Sequence, residues 1–119
     1  MTRTEFEKLV AAAVDNLPKE FREKLDNVDI VVADWPSRHV LNVTGIGERG
    51  LLFGLYQGVP QPQRTSSLRL PDKITIFAGP ILLVSHSPAE IKTRVTQVVK
   101  HEIGHHFGLS DSHLRRRGY

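Results

Sequence analysis

The stretch from Ser87 to Gly108 constrains this chain more than any other. Ser87-Pro88-Ala89-Glu90 places a serine N-cap, a proline at the first helical position and a glutamate at the third. Gly108 supplies the stop, because a residue without Cβ ends a helix in the left-handed conformation without strain. The spacing predicts a helix from Pro88 to about Phe107. Ile91, Val95, Val98, Val99 and Phe107 mark its buried side.

The remaining elements are shorter. Thr4 and Glu7 form a capping-box pattern ahead of Phe6, Leu9, Val10, Ala13, Val14 and Leu17, one apolar helical face, which predicts a helix over 5–16. Pro18 opens a second, short helix ending near Lys24. Val28–Ala33 is rich in β-branched residues and reads as a strand; Leu51–Gln57 and Lys73–Ala78 read as two more, the last closed by Gly79-Pro80. The segment 34–50 is expected to be irregular, 58–64 to be a loop, and 81–84 to form a short helix. Helix, strands and a long final helix make an α+β domain, with a small mixed β-sheet packed against that helix. At 119 residues the chain is expected to be one domain, 1–119.

Composition narrows the chemistry. There is no cysteine, so disulfides and thiolate metal sites are excluded, and any metal must use His, Asp, Glu or backbone oxygen. Hydrophobic residues make up 39% and no apolar run is long enough to span a bilayer, while the N-terminus is charged and has no apolar leader. A soluble, cytoplasmic protein is the expectation, with no membrane partner. The net charge of +3 arises within residues 90–119, much of it from Arg115, Arg116 and Arg117. No aromatic or glycine pattern accompanies these arginines, so they read as a solvated terminus and no nucleic-acid partner is expected.

The end of the long helix carries a metal-binding pattern. His101-Glu102-Ile103-Gly104-His105 is HExxH. Four residues advance ~400° on a helix, so His101 and His105 project from one face, one turn apart. Both imidazoles can then reach one zinc ion at ~2.0–2.1 Å. Glu102 lies a step round the helix, where it can hydrogen-bond a water on the metal without being a ligand. A third ligand is needed, and Gly108 turns the chain so that Asp111 comes back toward the ion. Burying two histidines and a glutamate on one stripe with no partner is costly, which favours the metal reading over mutual pairing in a core. His106 points ~100° away from His105 and reads as supporting or packing. His113 either approaches the site or is exposed on the tail, while His86 and His39 read as structural or solvated.

HExxHxxGxxD, from His101 to Asp111, resembles the zinc motif of the zincin metallopeptidases in their metzincin-like form. The order helix, short strands, motif helix and brief tail resembles the minimal bacterial zincin-like domains. The resemblance implies one zinc ion per chain held by His101, His105 and Asp111, with Glu102 as general base. Three features depart from the larger metzincins. Asp111 stands where a third His is commoner, the only methionine is Met1, and eight residues follow Asp111, so no C-terminal subdomain is expected to wall the cleft.

Such a site supports peptide or amide hydrolysis. Zinc lowers the pKa of its bound water toward ~7, and Glu102 takes the proton as that water attacks a carbonyl. Asp111, an anionic ligand, makes the metal a weaker Lewis acid than a neutral third His does. Tyr56, Tyr119, His113 and Arg115 are candidates to stabilise the oxyanion. The expected partner is a peptide or unfolded protein segment, bound as an added strand along 73–78 if that strand is at an edge. The first functional reading is a zinc metallopeptidase. The alternatives are a zinc-containing binding module for proteins or peptides with little turnover, favoured by the missing wall, and a small-molecule amidohydrolase.

Overall fold

The computed structural model of the chain describes residues 1–45, 51–58 and 71–106, with His105 and His106 described by their backbone alone. Its elements in chain order are α1 (Arg3–Asp15), α2 (Lys19–Lys24), β1 (Val28–Ala33), α3 (Arg38–Val43), β2 (Gly54–Gln57), β3 (Asp72–Phe77), α4 (Ala78–Val84) and α5 (Pro88–His106). The fold is α+β, with a three-stranded mixed sheet in the order β1-β3-β2. β1 runs parallel to β3, with Ile30 opposite Ile74, and β2 runs antiparallel to it, with Tyr56 opposite Ile74.

The long helix begins as its N-cap predicts. Ser87 Oγ accepts the Glu90 N–H at 3.1 Å, and the Glu90 carboxylate accepts the N–H of His86. Ile91, Val95, Val99 and Ile103 follow one another at intervals of four and are all buried. They pack with Phe6, Val10 and Ala13 of α1, Phe21 of α2, Ile74 and Ile76 of β3, and Ile81 of α4. Burying each such side chain contributes about 1.5–3 kcal/mol, so this row fixes the rotation of α5 about its axis. Val98 lies beside the row and is half-buried. Phe107 and Gly108, the expected end of the helix, lie outside the described residues.

Several elements differ from expectation in ways the chemistry explains. The first helix is capped by Thr2, not Thr4: Thr2 is extended and its Oγ1 accepts the Glu5 N–H at 3.1 Å. Starting there brings Arg3 into the helix, where it donates to Val32 O and pairs with Asp34 at 2.8 Å. These contacts to the strand end select between two similar capping patterns. The segment expected to be irregular contains α3, which Ser37 caps by accepting the Val40 N–H and which is followed, after its C-cap Thr44, by Gly45 with φ 76°. None of its residues is buried, so it has no apolar face to read.

The strand expected from Leu51 begins at Gly54, although Phe53 O still accepts the Phe77 N–H. Ala78 belongs to α4, which begins as β3 ends, and Pro80 sits in its first turn, where a missing N–H costs nothing. Strand β3 is central, with β1 and β2 on its two sides. A peptide therefore has no edge to join there. The outer edge nearest α5 belongs to β2. Of the expected loop, residues 59–64 lie outside the described residues. No helix among the described residues is long and apolar enough to cross a membrane.

Candidate metal centre and its groove

With row 91, 95, 99 and 103 turned into the core, the neighbouring rows of α5 face β2. One is Arg94, Val98 and Glu102; the other is Gln97 and His101. Arg94, Gln97, Val98, His101 and Glu102 form one wall of a groove of about 340 Å³, and residues 51–54 form the other. That volume lies in the range of small-ligand and peptide subsites. His101 is exposed at the lip of the groove and Glu102 is half-buried.

The helix and the edge strand meet at one glycine. A Cβ on Gly54 would stand 2.4 Å from Val98 Cγ1 and 3.3 Å from Thr75 O. The contact leaves no room for a side chain, so glycine is required here for the close approach of α5. Two residues on, the Tyr56 N–H donates to Glu102 Oε2 at 3.2 Å. The register explains why this amide is available. Phe77 N–H bonds to Phe53 O, so the odd-numbered residues of this segment pair with β3 while Gly54 and Tyr56 direct their N–H groups away from it. Glu102 occupies the second of those outward amides.

Tyr56 itself is not available as an oxyanion donor. Its hydroxyl donates to Asp72 Oδ2 at 2.7 Å, and its ring packs against the core cluster. Burial first, then the hydrogen bond to Asp72 and the charge of that carboxylate, push the Tyr56 phenol well above its ordinary range. Tyr119, His113 and Arg115 lie outside the described residues.

The structure brings His101 and Glu102 together at the groove. His105 follows on the same unbroken helix, one turn past His101. Its side chain and all of Asp111 lie outside the described residues, and among the described residues no group of three His, Asp or Glu converges. The donors fit zinc in kind and spacing: two imidazoles at i and i+4 on one helix, an exposed His101, and no competing thiol. Sequence reading missed Gly54, Arg94, Gln97 and the outward amide of Tyr56. Arg94 and Gln97 had a signal, since stepping back by fours from Glu102 and His101 reaches them.

A family model described as zincin-like metallopeptidase matches the chain over residues 25–119, which spans the sheet, the groove and the whole HExxHxxGxxD segment. No curated protein matches the chain.

Proposed function

We propose, from the premise that this chain belongs to the zincin-like metallopeptidase family, that it hydrolyses peptide bonds in extended or unfolded protein segments. In this reading one zinc ion is held by His101, His105 and Asp111, and Glu102 is the general base. Bound zinc supplies the positive charge that acidifies a water molecule and polarises the scissile carbonyl. Glu102 would take a proton from the attacking water as the water oxygen bonds to the carbonyl carbon. When the C–N bond breaks, Glu102 returns the proton to the leaving amine.

The observation that carries the reading is the placement of Glu102. Its carboxylate lies next to His101, in the wall of a groove large enough for a peptide, and is held by a backbone amide. A carboxylate fixed by an N–H in this way keeps a defined position, which general-base catalysis requires. Gly54, which holds edge strand against helix, would keep the groove at a width suited to an extended chain.

A second reading has its own support. The Tyr56–Glu102 hydrogen bond gives Glu102 a purely structural task, which suits a zinc-containing binding module with little turnover. Incubating the zinc-loaded protein with a mixed library of unstructured peptides separates the two. The peptidase reading expects cleavage that a chelator abolishes and added zinc restores. Intact peptides at full zinc occupancy would favour the binding module.

A further inference from the structure

The groove contains a cation that the hydrolytic reading does not use. Arg94 lies in the same row of α5 as Val98 and Glu102, at the end of the groove away from the HExxH segment. Among the described residues no carboxylate pairs with it. Its Nη2 donates to Val84 O at 3.4 Å, a weak contact, and its Nε is buried with no hydrogen-bond partner. A guanidinium has five donors in a planar fork, and leaving a buried one unmade is costly. The opposite wall, Leu51, Leu52 and Phe53, is apolar and brings no side-chain acceptor. Among the described residues the groove therefore supplies no acceptor for the remaining Arg94 donors, and a ligand lying in it is positioned to bring one.

We propose that Arg94 is a recognition site for a carboxylate of the bound peptide, and that the groove selects acidic peptides. A carboxylate accepts paired N–H bonds from a guanidinium, and the terminal nitrogens of Arg94 carry donors beyond the one given to Val84 O. The position along the ligand follows from helix geometry. Seven residues separate Arg94 from His101, about 10.5 Å at the helical rise. An extended peptide advances about 3.3 Å per residue, so the carboxylate sits about three residues from the bond held at His101 and Glu102. Either an Asp or Glu side chain or a free C-terminal carboxylate supplies it. The positive charge of residues 90–119 favours approach of such ligands. The position relative to a cleaved bond rests on the peptidase reading; the carboxylate preference does not.

The test is therefore a binding measurement on zinc-loaded full-length protein carrying Glu102→Gln, which removes cleavage from the readout. The probes are fluorescent unstructured peptides in matched pairs: Asp or Glu against Asn or Gln at each position, and a free against an amidated C-terminus. We expect the acidic member to bind on the order of tenfold tighter at one position. The C-terminal pair separates a side-chain from a chain-terminal carboxylate. Adding Arg94→Gln should abolish the acidic preference, Arg94→Lys should keep part of it, and Arg94→Glu should favour Lys or Arg at the same position. Thermal unfolding checks that each variant is folded. Equal binding of acidic and neutral peptides, or a preference that survives Arg94→Gln, overturns the proposal. Acidic preference without cleavage by the parent keeps the proposal and removes the peptidase reading; cleavage without acidic preference does the reverse.

Discussion

The Glu102 carboxylate accepts the backbone N–H of Tyr56 at 3.2 Å, so the side chain assigned as general base also ties the long helix to the outward-facing amides of β2. The two tasks are compatible. A carboxylate offers four lone-pair sites, so accepting this N–H does not by itself exclude a water proton. The arrangement means that the spacing of helix and strand sets the position of the base, and that spacing depends on Gly54.

Gly54→Ala should lower stability by about 1–3 kcal/mol, the usual cost of forcing extra volume into a packed contact. Urea unfolding measures it. The clash falls mainly on Val98 Cγ1. The double variant Gly54→Ala with Val98→Ala should therefore lose less than the sum of the two single losses. Strict additivity would show that Gly54 does not mediate this contact.

Tyr56→Phe should weaken the fold through the lost bond to Asp72, by about 1 kcal/mol at neutral pH. The pH dependence has a defined sign. Burial and Asp72 raise the phenol of the folded protein. Its contribution is therefore complete below the unfolded tyrosine value of about 10 and is lost as pH rises above it. The stability difference between parent and variant should hold up to about pH 10 and shrink between about pH 10 and pH 12. A gap that stays constant over that interval would contradict the assignment.

The metal ligands are tested by zinc content. The parent should carry about one zinc per chain, and His101→Ala combined with His105→Ala should abolish it. Asp111→Ala should weaken binding, whereas Asp111→His should retain it, since imidazole serves as a ligand equally well. Full zinc occupancy in the double histidine variant would place the metal elsewhere. Undiminished affinity in Asp111→Ala would move the third ligand to another residue, with His113 tested first.

What the sequence made legible was whatever a local pattern dictates. Ser87 and Pro88 mark the start of α5, and β1 runs from Val28 to Ala33 as its β-branched residues predict. HExxH places Glu102 beside the groove lip through helical periodicity alone. What local patterns did not carry depends on contacts between distant residues. Thr2 wins over Thr4 as the first cap because Arg3 then reaches Val32 and Asp34, 29 and 31 residues away. The sheet order places β3 between two partners, which no spacing along 73–78 encodes. Gly54 reads in sequence as a flaw in a strand, and its purpose appears only when Val98 is seen against it. Helix α3 escaped because it is held by the Ser37 cap without any buried face.

The most direct test of catalysis is Glu102→Gln, measured with zinc content and folding in the same preparation. The amide keeps the size of the side chain, can still accept the Tyr56 N–H through its carbonyl oxygen, and cannot take a proton from water. The account predicts that this variant keeps about one zinc per chain, unfolds at a temperature close to that of the parent, and cleaves unstructured peptides about 10²–10⁴-fold more slowly. Equal cleavage by parent and variant, at equal zinc content, would contradict it.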